Sequence, residues 1–223
     1  MLAGVEFTLQ PLNAQGDPSG TALVKHTGSN GTLQFTGLKL GSYRLSETGP
    51  LAGYLALDPQ PVEVTAQALD LSYTLENRKI TGSIEILKIS ADGLRTPLAG
   101  AKFAITGPDG RVYEGTSGSN GRVRFDNLLY GEYSVREVTA PAGYVITSST
   151  QSLSITQQGQ VIVAEFTNQK ISGTVSLSKQ DQNGAPLDGA TFRLEDSLGF
   201  ALKVTGSNGF YTLSNWGDAT FTA

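Results

Sequence analysis

Arg136-Glu137-Val138-Thr139-Ala140-Pro141-Ala142-Gly143-Tyr144 has a weaker copy 136 − 46 = 90 residues earlier, Ser46-Glu47-Thr48-Gly49-Pro50-Leu51-Ala52-Gly53-Tyr54. The chain is therefore a repeat. In both copies a strand pattern runs to a glutamate and breaks at Pro, any residue, Gly and Tyr, which turn the backbone and anchor it with a ring. Alternation puts Tyr133, Val135 and Glu137 on one face, and Tyr43, Leu45 and Glu47 likewise, with Ser134, Arg136, Arg44 and Ser46 opposite. Each glutamate is thus expected to point inward, where a carboxylate is costly unless neutralised or paired.

Other landmarks recur around this one. Leu2-Ala3-Gly4-Val5, Leu98-Ala99-Gly100-Ala101 and Leu187-Asp188-Gly189-Ala190 each precede a strand carrying Phe7, Phe103 or Phe192. Ser29-Asn30-Gly31, Ser119-Asn120-Gly121 and Ser207-Asn208-Gly209 read as hairpin turns. No useful helical period is present. Short strands rich in Val, Ile, Thr, Phe and Tyr, with turn signals between them, predict an all-β Ig-like sandwich for each repeat. The boundaries read as 1–79, 80–170 and 171–223. The connections Arg78-Lys79-Ile80-Thr81-Gly82-Ser83 and Gln169-Lys170-Ile171-Ser172-Gly173-Thr174 are too short for free linkers, so a semi-rigid, rod-like array is expected.

The repeats end in a second alternation. Leu69, Leu71, Tyr73, Leu75 and Asn77 are expected to point in at the end of the first, as are Ile162, Ala164, Phe166 and Asn168 at the end of the second. In the first strand of the second repeat Ile84, Ile86 and Lys88 alternate with Glu85, Leu87 and Ile89, so both faces carry apolar residues; the third repeat, with Val175, Leu177 and Lys179 on one face and Thr174, Ser176 and Ser178 on the other, places Lys88 inward by analogy. The first repeat lacks this lysine strand. The third stops before its expected glutamate and asparagine, so the chain reads as a piece of a longer one.

Composition narrows the function. The chain has 223 residues, 16 basic and 20 acidic, a net charge of −4 and no cysteine. Disulfide staples are excluded, and the mild acidity without a basic block argues against nucleic acid. No apolar run reaches membrane-span length, and no signal peptide is legible. With His26 the sole histidine and no recurrent Ser-His-Asp set, an enzyme is not expected; nor is a metal or a cofactor. His26 reads as a surface residue. Gly115, Gly118 and Gly121 read as turns rather than a phosphate loop, and Asp181-Gln182-Asn183-Gly184 as a hairpin rather than a calcium loop. Tyr54 and Tyr144 read as packing anchors.

Lys88, Glu137 and Asn168 are thus a cation, a carboxylate and a carboxamide expected to face one core. Taken alone, Lys88 could be a strand-end lysine that snorkels to water. If the three meet, desolvation favours a neutral amine beside a neutral acid, the amine can attack the asparagine carbonyl, and ammonia leaves. The product is a Lys-Asn isopeptide bond.

The lysine strand before Pro97-Leu98-Ala99-Gly100-Ala101, the Gly131-Glu132-Tyr133 stretch, Glu137 to Tyr144 and Phe166-Thr167-Asn168 together resemble the prealbumin-like isopeptide-forming repeats of Gram-positive surface proteins, the collagen-adhesin B-type or SpaA-type pilin domains. The resemblance covers essentially the whole chain and is complete over 80–170. It implies Lys88 as nucleophile, Asn168 as acceptor and Glu137 as the assisting acid, with Glu47, Asn77 and Lys179 as partial sets. It also implies a stalk or pilin-like segment at the cell surface or wall, partnered by neighbouring domains of the same chain. The alternative is an adhesin gripping a host extracellular protein or glycan through sandwich loops, for which Trp216 is the sole tryptophan.

Overall fold

The alternating stretches become strands, and among the described residues strands are the only regular elements. The computed structural model describes residues 1–195, 201–205 and 210–214. The first repeat holds β1 (Glu6–Pro11), β2 (Leu23–His26), β3 (Gly41–Gly49) and β4 (Gln60–Val64). The second holds β5 (Thr81–Ser90), β6 (Lys102–Thr106), β7 (Val112–Thr116), β8 (Arg122–Leu129), β9 (Gly131–Thr139), β10 (Tyr144–Ile146), β11 (Gln151–Ile155) and β12 (Val161–Lys170). The third holds β13 (Thr174–Ser178), β14 (Thr191–Glu195), β15 (Ala201–Thr205) and β16 (Phe210–Ser214).

The second repeat is a sandwich of two four-stranded sheets, β10-β12-β5-β8 and β11-β9-β6-β7. Every pairing in it is antiparallel except β5 with β12, the first and last strands, which run parallel from Ser83↔Val161 to Ser90↔Asn168. The inward rows meet in one core: Ile84, Ile86, Phe125, Leu128, Ala164 and Phe166 from one sheet, Phe103, Ile105, Tyr133, Val135 and Ile155 from the other. Burying each large side chain contributes about 1.5–3 kcal/mol, which a domain without disulfides needs.

The first repeat builds only one of these sheets. Its order β2-β1-β3-β4 matches β7-β6-β9-β11, over a core of Val5, Phe7, Leu9, Tyr43, Leu45, Val62 and Val64. Residues 32–40 and 69–77, the counterparts of β8 and β12, form no strand. The inward placement expected for Leu69, Leu71 and Tyr73 is corrected here, because they are 66%, 40% and 46% exposed. In the second repeat both counterparts are hydrogen-bonded to β5. No equivalent of β5 lies among the described residues of the first, so neither segment has a ladder to join.

Two further expectations are revised. Ser119-Asn120-Gly121 does connect β7 to β8, but β7 pairs with β6 and β8 with β5, so the turn is a corner between sheets rather than a hairpin. Gly115 lies within β7, not in a turn: a Cβ there would meet Val123 Cγ2 at 2.6 Å and Phe125 Cζ at 3.0 Å. Close approach between the two layers, not backbone curvature, requires that glycine.

Each Pro-x-Gly-Tyr loop is tied to the connection that follows its repeat. Ile80 N–H donates to Gly53 O at 2.8 Å, and Ile171 N–H donates to Gly143 O at 2.8 Å. Tyr130 N–H donates to Ile80 O at 3.0 Å, and its ring lies against the open face of Gly53. Tyr54 and Tyr144 are half-buried in these loops, bridged to Lys79 and paired with Lys170.

Candidate functional site

Three strands of the second repeat each aim one polar side chain into the core. Lys88 continues the row of Ile84 and Ile86 on β5, Glu137 the row of Tyr133 and Val135 on β9, and Asn168 the row of Ala164 and Phe166 on β12. All three side chains are fully buried. Lys88 Nζ lies 3.1 Å from Glu137 Oε2, and Asn168 Nδ2 donates to Glu137 Oε1 at 2.6 Å. The carboxylate therefore stands between the amine and the carboxamide. Phe166 is the ladder partner of Lys88 and Phe103 that of Glu137; their rings meet edge to face with centroids 5.1 Å apart. Both rings are fully buried beside the polar group.

The cluster is electrostatically costly. Lys88 Nζ, Glu137 Oε2 and Asn168 Oδ1 make no aligned hydrogen bond, although the first two are in ion-pair contact. A buried polar atom left so costs about 1–3 kcal/mol. Burial holds the Lys88 amine below its ordinary pKa, and the attraction of Glu137 only partly offsets this. The site thus favours the proton-free, nucleophilic amine more than water does.

The family model for the SpaA prealbumin-like fold domain matches residues 1–79 and 82–170. The chain belongs to this family. Members of the SpaA family are structural rather than enzymatic. Among solved structures, the Bacillus anthracis TIE protein is similar at 26% identity and a TM-score of 0.78, covering 96% of this chain and 40% of its own. A streptococcal ancillary pilin shares 30% identity over 76% of this chain and 58% of its own, with a TM-score of 0.36. A C-terminal fragment of the pilus adhesin SpaC from Lactobacillus rhamnosus GG shares 14% identity over 75% of this chain and 89% of its own, with a TM-score of 0.50. This chain thus spans less than two thirds of the first two. No curated protein matches it by sequence.

The other two repeats hold parts of the same set. In the first, Glu47 is buried and Phe7 is its ladder partner, as Phe103 is for Glu137. Asn77 Nδ2 donates to both Glu47 oxygens, at 2.8 and 2.7 Å, and to Leu55 O at 2.9 Å; Leu57 N–H donates to Glu47 Oε2 at 2.7 Å. In the third, Lys179 is exposed and Leu177 38% exposed, because no counterpart of β9 or β12 lies among its described residues to cover them. The expected inward face of β13 is therefore left largely open.

His26 is at the surface, 3.3 Å from Glu6. Asp181 accepts from Asn183 N–H and Ala185 N–H and closes a tight turn. No group of metal ligands occurs among the described residues, and Trp216 and Asn215 lie outside them. Sequence reasoning missed that Phe166 and Phe103 are the ladder partners of Lys88 and Glu137, although Phe7 and Phe103 recur at the same place. It also missed that Asn120-Gly121 backs directly onto Lys88.

Proposed function

We propose that this chain is a tension-bearing, pilin-like stalk segment of a Gram-positive surface protein, with 1–79, 80–170 and 171–223 as successive domains of a semi-rigid array and neighbouring domains as their partners. A single-turnover Lys88-Asn168 isopeptide bond locks the middle domain. The observation that carries this reading is the meeting of Lys88, Glu137 and Asn168, fully buried, on the first, central and last strands of one sandwich. Membership of the SpaA family and the resemblance to pilins support the surface location.

In the reaction, the Lys88 proton passes to Glu137, and the neutral amine attacks Asn168 Cγ. The new C–N bond forms as the bond from Cγ to Nδ2 breaks. The neutral amine sheds one proton in becoming the amide and one proton is delivered to that nitrogen, which leaves as ammonia, so that Glu137 ends protonated and charge is conserved. Glu137 already faces Nδ2 and is placed to protonate the leaving group. Turning the carboxamide about its last bond would instead bring Oδ1 to the acid, which then polarises the carbonyl. Fixed placement supplies the acceleration that an ordinary amide lacks.

Tension enters at Ile80 and leaves at Ile171. Because β5 and β12 are parallel, that pull shears their shared ladder. The bond carries the pull from residue 88 to residue 168 and leaves the 79 residues between them unloaded (167 − 89 + 1). Intact mass tests the reading: the chain should be lighter than its sequence by about 17 Da, one ammonia, and Lys88→Ala should restore the full mass. An undiminished wild-type mass sinks it.

Glu47 and Asn77 hold two of the three roles in the first repeat, with Lys179 the nucleophile of the third. A synthetic peptide of residues 81–92, carrying Lys88, is expected to attach to Asn77 and to leave Asn77→Ala unmodified. Absence of an adduct would remove Glu47 and Asn77 from the reactive set.

A further inference from the structure

The nucleophile is held from behind by a turn. Lys88 N–H donates to Gly121 O at 2.7 Å, and Lys88 O accepts from Leu98 N–H at 3.0 Å. Both main-chain groups of the lysine are thus fixed on the side away from β12. Gly121 sits at φ +73°, and a Cβ on it would lie 2.4 Å from Lys88 O and 3.1 Å from Pro97 Cβ. Real Cβ contacts do not fall under 3.0 Å, so a side chain here must part the turn from the Lys88 peptide by at least 3.0 − 2.4 = 0.6 Å. The obstacle is backbone, with no flexible end to swing aside.

We propose that Gly121 is a positioning residue for the cross-link: its bare α-carbon lets the Ser-Asn-Gly turn close on the Lys88 main chain and so sets Nζ against Glu137 and Asn168. This rests on the reading of Lys88 and Asn168 as the cross-linked pair. Attack on an amide depends steeply on placement, and an error near 1 Å costs on the order of a hundredfold in rate.

The molecule contains its own control. Gly107 to Arg111 repeats the turn hydrogen bond for hydrogen bond: Gly110 N–H to Gly107 O, Gly107 N–H to Arg111 O, and Arg111 N–H to Asp109 Oδ1. Gly118 to Arg122 makes the same three, with Asn120 Oδ1 as the side-chain acceptor. Gly110 has φ +78°, yet a Cβ there would touch nothing within 4 Å. The two glycines share a backbone requirement, and only Gly121 presses on the lysine.

The test follows newly synthesised chains by intact mass over time, comparing Gly121→Ala with Gly110→Ala. Both substitutions strain the turn, so both should lower the melting temperature when placed in a Lys88→Ala background. Gly110→Ala is expected to lose about 17 Da with the wild-type time course, and Gly121→Ala to lose it roughly tenfold or more slowly while keeping the wild-type circular dichroism spectrum. Equal rates overturn the proposal. If Gly121→Ala does not fold, Asn120→Ala and Asp109→Ala make the same comparison without an added Cβ: the first should link more slowly than the second, and equal rates again overturn it. A wild-type chain that never loses ammonia would instead overturn the cross-link reading itself.

Discussion

The first and second repeats share a sheet, a buried glutamate and an asparagine beside it, but among the described residues the first has no counterpart of β5 and none of the sheet built on it. Where β5 is present, β8 and β12 form ladders on its two sides, a second sheet closes the sandwich, and Phe125, Leu128, Ala164 and Phe166 are buried. In the first repeat both flanking segments lose their ladders, and Leu69, Leu71 and Tyr73 face water. The polar site changes with it. Glu47 is satisfied by Asn77 and Leu57 N–H, whereas Glu137 faces a buried amine. One strand therefore supplies both the scaffold of half a sandwich and the buried amine of the site.

The sharpest way to break this comparison is to remove the Lys88 amine, and with it the proposed bond, but keep the strand. Lys88→Ala should cost the second repeat the closure of an 80-residue loop (168 − 88), about 4–5 kcal/mol by analogy with disulfides of that span. Thermal melting should fall by on the order of 20 °C; an unchanged melting temperature would show that no covalent closure was lost. Next in size is packing. In the Lys88→Ala background, Phe166→Ala should cost about 3–5 kcal/mol, while Leu71→Ala, on the matching but unpaired segment, should stay within about 0.5 kcal/mol. Similar losses in urea titrations would mean that the first repeat buries that segment after all.

A smaller effect concerns protons. In an unlinked Asn168→Ala variant, Lys88 titrates below its unfolded value of 10.5, so the unfolded chain holds the proton more tightly. Stability should be lowest below the folded pKa and should recover as pH rises toward 10.5. The linked nitrogen is an amide and should not contribute this slope. Matching pH profiles for the two proteins would argue against a titrating, buried Lys88. Smallest is the bulge within β8, where Asn127 takes φ +56° as Gly37 takes φ +69° at the equivalent place of the first repeat. Asn127→Gly should change stability by less than about 0.5 kcal/mol, and Asn127→Val should cost about 1–2 kcal/mol.

Much of this was legible in the residues because alternation is a local property. Tyr133, Val135 and Glu137 reveal their common face without knowledge of any neighbour, and the same rule places Glu137 and Asn168 in the core; Lys88, on a strand apolar on both faces, is placed there only by analogy with Val175, Leu177 and Lys179. The rule fails at Leu69, Leu71 and Tyr73, where the alternation is as regular but no strand like β5 lies among the described residues of the first repeat to pair with them. It was silent on Gly115 and Gly121, since close approach between layers leaves no periodic trace. The turn at Asn120-Gly121 was recognisable, but only the pairing of β5 with β8 sets it behind Lys88.

The parallel pairing of β5 with β12 also bears on how the chain is made. Translation delivers β5 long before β12, and the ladder that buries Lys88 closes only once Val161–Lys170 have emerged. Such distant pairing is a late and slow step of folding. A nascent chain consequently exposes one edge of β5 for most of the synthesis of its domain, an invitation to pair with the wrong neighbour. Under the proposed cross-link, ammonia release would act as a timestamp: only a chain that has been completed, and has brought its last strand home, would be sealed.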